Sequence, residues 1–199
     1  MNAISISRLT LDFFLMLLIL LMSCAQPHHD WENEKIFGRH KEPAHATLIP
    51  YANEKEATAG KRNASPYYHS LNGTWKFKWF PKPEDAEIEF YQMTFDADQW
   101  SEINVPGTWQ LQGFDIPIYT NVNYPFRPVD PPHIPDDDNP VGCYRRTFEI
   151  PPTWNGRQVF LHFEGVQSAF YVWINGREVG YSQGSATPAE FNITSYLKK

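Results

Sequence analysis

Carboxylates, histidines and cysteines are the side chains here that could do chemistry, and their spacing says little. Asp136-Asp137-Asp138 is a carboxylate run inside a proline-rich stretch. Such a run can meet a cation, and it reads as a solvated loop. His28-His29 fall in a polar tether, and His40 and His45 are five positions apart, a spacing used by no strong metal signature. Cys24 and Cys143 are the two cysteines, and neither has an activating histidine beside it. The chain has no Gly-x-Ser-x-Gly, no Cys-x-x-Cys, no phosphate-binding glycine loop and no His-Glu-x-x-His. Sugar-bond hydrolysis needs two carboxyl groups across the scissile bond, and no spacing in the sequence pairs any two. On its own chemistry the chain reads as an exported β-sandwich with an aromatic surface, suited to binding carbohydrate.

The elements that must carry these residues are strands. The chain has 199 residues, which sets one domain as the prior, and 16% of them are aromatic. That is ample for a packed core. Seventeen Pro and eleven Gly interrupt it too often for long helices. The net charge of −6, with no cluster of Lys and Arg, excludes a nucleic-acid footprint.

Phe13 to Met22 is an unbroken apolar run of ten residues behind Arg8. A spanning helix needs roughly 20, so this is read as the core of a signal peptide. The run ends in Leu21-Met22-Ser23-Cys24, which resembles a bacterial lipobox with Cys24 as the lipidated residue. An ordinary secretory signal with an incidental cysteine is the alternative. Residues 1–23 are therefore assigned to a lipoprotein signal peptide, 24–69 to a tether and extended arm, and 70–199 to a β-sandwich. With Cys24 acylated, Cys143 is a lone thiol, read as a small core hydrophobe.

In the arm, a short helix is expected near Asn53 to Ala59. Trp31, Ile36, Phe37, Leu48, Ile49 and Tyr51 are expected to anchor it to the domain. Thr74 to Trp79 alternates, putting Trp75, Phe77 and Trp79 on one face of a half-buried strand. Further strands are expected near Glu89 to Phe95, over Tyr144 to Ile150, and over Gln158 to Glu164 with Val159, Leu161 and Phe163 inward. Ala169 to Ile174 is apolar on both faces and is expected to be central. Asn175-Gly176 joins it to Arg177–Tyr181 in a hairpin, because both turn residues favour positive φ. Residues 110–142 form a long loop of the kind that commonly carries function.

Several blocks then carry a resemblance. They are Asp30-Trp31-Glu32-Asn33; Ser70 to Phe77 (SLNGTWKF); Val105 to Gln110 (VPGTWQ); Gly113 to Pro125 (GFDIPIYTNVNYP); Asn139 to Tyr144 (NPVGCY); Phe163 to Phe170 (FEGVQSAF); and Val179 to Gln183 (VGYSQ). In this order and spacing they resemble the opening of the long β-galactosidases of glycoside hydrolase family 2, over nearly all of Asp30 to Leu197. The β-glucuronidases and β-mannosidases of the family share the sandwich; Ile118 to Val122 (IYTNV) favours β-galactosidase.

The resemblance implies an all-β jelly-roll sandwich of galactose-binding type, continuing beyond Leu197 and followed by further domains. A later barrel would carry the two catalytic Glu, so none is expected in this chain. It implies that Asn121, flanked by Val122, reaches the galactosyl hydroxyls. An amide offers them both a donor and an acceptor; without the flanking match Asn121 reads as a turn residue. It also implies a divalent cation, Mg²⁺ or another, on Asp30, Asn33, the Ile36 carbonyl and Gln183, with a further Asp beyond this sequence. The alternative for these polar groups is capping and solvation. The expected setting is a bacterial, exported, membrane-anchored lipoprotein that acts on β-galactosides. Its partners would be the remaining domains of the enzyme and further copies in a homo-oligomer. The competing function is a stand-alone, lipid-anchored carbohydrate-binding module.

Overall fold

The structure is a computed structural model that describes residues 29–87, 89–117 and 123–198. Cys24, Asn121 and Val122 lie outside the described residues.

The described chain is all-β, with antiparallel sheets and few helical turns, as the sandwich expectation requires. Strands β1 (Gly38–Arg39), β7 (Arg177–Gln183) and β6 (Ala169–Ile174) form one sheet in that order. Strands β3 (Ser101–Val105), β2 (Gly73–Phe80) and β4 (Val141–Arg145) form a second. Strands β5 (Phe160–Phe163) and β8 (Ala189–Asn192) pair as a third.

The main core lies between the first and third sheets. Val172, Ile174 and Val179 from β6 and β7 meet Ala189 and Phe191 from β8, with Val159 and Ile193 beside them. As expected, Val159 is buried, and Leu161 and Phe163 pack against this cluster. The hairpin is as the sequence predicts: Asn175 and Gly176 have φ of 52° and 81°. A bulge follows it. Val172 pairs with Gly180 and Trp173 with Glu178, leaving Val179 unpaired between them. The extra residue lets Val179 turn into the core while Tyr181 stays level with Tyr171 on the other face.

That other face explains why β6 is apolar on both sides. Phe90 meets Trp173 edge-on and Tyr91 stacks on it, with ring centroids 5.4 Å apart in both pairs. Phe90 and Phe95 then reach Trp100 and a second core of Phe80, Trp100 and Cys143. Residues 89–95 do this as turns, not as the expected strand. Their aromatics cap a sheet face instead of extending an edge. For the same reason β6 is not central: β7 is, and β6 stands at the edge of its sheet. Two apolar faces report cover above and below, not neighbours on both sides.

Two more expectations shift. In β2, Phe77 is buried as predicted, but Phe80 is buried too, while Trp75 and Trp79 are half-buried. Both faces of that strand's end meet apolar groups. Strand β4 runs over Val141–Arg145, not Tyr144 to Ile150; Phe148 and Ile150 pack on the main core from outside any strand. The arm's helix, α1 (Glu54–Ala59), forms where expected. The Asn53 side chain caps it by accepting from the Glu56 N–H, and Gly60 closes it at φ 64°.

The arm packs on the domain through part of the expected set: Trp31, Ile36, Ile49 and Tyr51 are half-buried, while Phe37 and Leu48 are 66% and 79% exposed. Main-chain bonds also hold it. Gly38 and Arg39 pair with Ser182 and Tyr181, and the Glu42 N–H donates to the Glu190 carbonyl at 2.8 Å.

Candidate functional site

Two regions gather the predicted residues, and the first is the base of the long loop. Trp109 and Phe114 both lie against Phe77 of β2, with ring centroids 6.1 Å and 4.7 Å away. Between them, Gln112 clamps the main chain of Asn104 in β3: its Oε1 accepts from the N–H at 2.8 Å and its Nε2 donates to the carbonyl at 3.0 Å. Gly113, at φ 91°, then ends the short 3₁₀ turn Gln110–Gln112. The segment leading to Asn121 and Val122 is thus rooted on two strands. Leu111 and Ile116 stand exposed on it. Asp136, Asp137 and Asp138 are exposed, in keeping with a solvated loop. Among the described residues, no group of three or more His, Cys, Asp or Glu could hold a metal ion.

The second region joins the arm to the β6–β7 hairpin. Asp30 opens a 3₁₀ turn, Asp30–Glu32. Its carboxylate takes the Arg39 guanidinium in a two-pronged pair, Nε to Oδ2 at 2.7 Å and Nη2 to Oδ1 at 2.6 Å. The Tyr171 hydroxyl also donates to Oδ2, at 2.9 Å. Tyr171 faces Tyr181 in register, and the Tyr181 hydroxyl donates to Gln183 Oε1 at 2.7 Å. Gln183 Nε2 donates to the Asn33 carbonyl at 3.0 Å, which also accepts from the Ile36 N–H at 3.1 Å. Asn33 Oδ1 accepts from the Lys35 N–H at 3.0 Å. Trp31 sits edge-on to Tyr171. Asp30, Asn33, Ile36 and Gln183, up to 153 positions apart in sequence, therefore do share one network.

The electrostatics follow from these contacts. The Arg39 pair holds the Asp30 carboxyl below the usual carboxylate range, outweighing the opposite effect of burial, and the Tyr171 hydroxyl adds to the lowering. Burial first, and then the bond to Asp30, push the Tyr171 hydroxyl up. Burial likewise raises Tyr181.

Sequence reasoning missed Arg39 and Tyr171, which no local motif marks, and gave no role to Tyr181, which lies within the Val179 to Gln183 block. It also missed Glu190, whose Oε1 meets His45 Nε2 at 3.2 Å and whose Oε2 meets His162 Nδ1 at 3.1 Å. His40, by contrast, lies against the Val179 carbonyl.

Residues 68–199 match the family model described as "Glycosyl hydrolases family 2, sugar binding domain". The chain belongs to glycoside hydrolase family 2. A relative named Beta-galactosidase from Priestia megaterium is 46% identical over 179 residues, covering 88% of this chain and 17% of that protein. Beta-galactosidase 2 of Enterobacter cloacae is 43% identical over 182 residues, covering 91% of this chain and 17% of its own length. The chain thus spans about a sixth of the length of these curated relatives. Among solved structures, a calcium-binding mutant of Bacteroides uniformis β-glucuronidase 2 aligns with a TM-score of 0.48 and 26% identity, over 65% of this chain and 13% of that one.

For this family 2 domain, the cation implied by the sequence resemblance can be tested against the donors present. Asp30 is the only carboxylate of the four positions, and the guanidinium already neutralises it. The Asn33 and Gln183 side-chain oxygens each accept from a protein donor. Affinity for a hard divalent cation follows the charge its ligands bring. With the guanidinium on both Asp30 oxygens and both amide oxygens taken by protein donors, these four positions as they stand do not fit one.

Proposed function

We propose that this chain is the sugar-binding, amino-terminal part of a retaining β-galactosidase that hydrolyses terminal β-D-galactosyl residues. The observation that carries the reading is the 46% identity over 179 residues to a protein named Beta-galactosidase. The chain contributes one rim of the substrate pocket through Asn121, with Val122 beside it. The Trp109–Phe114 segment rooted on Phe77 supports that rim. The two catalytic carboxyl groups belong to another domain of the parent, one as nucleophile and one as acid/base.

The mature protein is lipidated at Cys24 and held at a bacterial membrane, and the parent assembles as a homo-oligomer. Support for the anchor is the apolar run Phe13 to Met22, closed by Ser23-Cys24. No described helix is long and apolar enough to cross a membrane. Replacing Cys24 with Ala should release the protein from the membrane fraction; unchanged fractionation removes the anchor from Cys24. Light scattering on the full-length parent tests the assembly.

For the activity, the test is hydrolysis of nitrophenyl glycosides by the chain alone and joined to the rest of its reading frame. The joined protein should cleave the β-galactoside in preference to the β-glucuronide and β-mannoside, and the chain alone should cleave none. Turnover by the pure 199-residue chain, or a glucuronide preference in the joined protein, would sink the reading.

A further inference from the structure

We propose that Arg39 does in this chain what a bound divalent cation would otherwise do: it fixes the Asp30–Asn33 turn to the β6–β7 sheet, so that the arm is held without metal. Three elements meet at the Asp30 carboxylate, and a fourth, β7, joins the same turn at Asn33. Asp30 belongs to the turn itself. Arg39 belongs to β1 and pairs with Tyr181 of β7. Tyr171, the third partner, belongs to β6. Gln183 closes the loop by joining Tyr181 to the Asn33 carbonyl.

The planar fork of a guanidinium suits this place better than any other side chain. It offers two parallel N–H donors to the two oxygens of one carboxylate, and it stays charged at all working pH values. The Asp30 side chain is only 12% exposed, so water screens the pair incompletely. Arg39 itself is half exposed, which lets the charge enter the site without full desolvation. With Arg39 in place, the turn and the sheet are joined entirely by groups of the chain. The inference does not depend on which glycoside the parent cleaves.

The test uses the full chain in detergent. Its melting temperature is measured with EDTA and with millimolar Mg²⁺, and Mn²⁺ binding is followed by electron paramagnetic resonance. The wild type should melt at the same temperature in both buffers and leave Mn²⁺ free. Arg39→Leu should melt about 5–10 °C lower in EDTA and recover part of that loss in Mg²⁺, because Asp30 is then an unneutralised carboxylate. Arg39→Lys keeps the charge but not the fork, and should fall between the two. Stoichiometric Mn²⁺ binding by the wild type, or a wild-type melting temperature that drops in EDTA and returns with Mg²⁺, overturns the proposal. So does an Arg39→Leu variant that melts with the wild type. Should that variant fail to fold, the wild-type measurements decide.

Discussion

The Tyr171 hydroxyl donates to Asp30 Oδ2 at 2.9 Å, joining the edge strand of the hairpin sheet to a turn 141 positions earlier in the chain. A bond to a largely buried carboxylate is worth more than one between neutral groups. Tyr171→Phe keeps the ring and its contacts with Trp31, Trp173 and Tyr181 and removes only the donor. The expected cost is about 1–2 kcal/mol in urea unfolding at neutral pH. The pH dependence has a definite sign. Asp30 titrates below its ordinary value because of Arg39 first and Tyr171 in support. Its contribution is thus complete above about pH 4, the unfolded carboxylate value, and is lost as the pH falls through the folded one. The gap between wild type and Tyr171→Phe should close on acidification. A gap that persists there places the effect elsewhere than on Asp30.

Glu190 gives a second, opposite pH signature. Its Oε1 faces His45 of the arm, its Oε2 faces His162 of β5, and the Glu42 carboxylate adds a weaker field at His45. The contact with the Ala46 carbonyl, and then Glu190, raise the His45 pKa. Stability from this contact is therefore full below about pH 6.5, the unfolded histidine value, and fades as the pH rises through the folded one. His45→Ala should destabilise the chain at pH 5.5 and matter little at pH 8.5. Parallel stability curves across that range would show that His45 acts by packing alone.

Gly180 admits the arm. A methyl group on its Cα would collide with the Arg39 carbonyl and with the Phe191 ring. The first obstacle is backbone and cannot swing aside. Gly180→Ala should cost about 1–3 kcal/mol, and hydrogen exchange should quicken in Gly38 and Arg39 ahead of the core. Uniform loss of protection throughout the β6–β7 hairpin would instead locate the damage at Phe191.

Cys143 is buried in the second core, and that burial pushes its thiol up to about 12. The thiolate is the reactive form, so iodoacetamide at pH 8 should leave Cys143 unmodified in the folded chain and label it fully in denaturant. Mass spectrometry reads the outcome directly. Rapid labelling of the native protein would mean that the β2–β4 face opens.

What the sequence disclosed, it disclosed through short-range rules. Asn175-Gly176 located its hairpin because only certain residues take left-handed φ, and Asn53 located its helix by capping. Longer-range facts were not legible. Phe90, Tyr91 and Phe95 look like a strand until Trp173 and Trp100 are placed beside them. The start of β4 was hidden by Gly142, where a side chain would collide with Phe77 and Trp109. In the candidate sites, the family motif drew attention to Asp30, Asn33 and Gln183. It said nothing of Arg39 or Tyr171, whose roles follow from strand pairing.

Asn121 is the substrate-binding residue of the proposed function, and one variant separates that role from a structural one. In the full-length parent, Asn121→Ala should lower kcat/KM for a β-galactoside while leaving the melting temperature in place. In the proposed role, the amide would face sugar hydroxyls in a pocket mostly closed to water. Without it, those hydroxyls lose a partner at a cost of about 1–3 kcal/mol. That corresponds to roughly ten- to a hundred-fold in kcat/KM. A turn residue behaves differently, because Asn is favoured where the backbone bends tightly. Its loss would lower the melting temperature and spare the kinetics. The residues that lead to Asn121 are anchored on β2 and β3. Gln112 holds Asn104 through two bonds, and Trp109 and Phe114 are packed on Phe77. Measuring both quantities on the same preparation decides between the roles. Unaltered kcat/KM beside a lowered melting temperature would remove Asn121 from the substrate pocket.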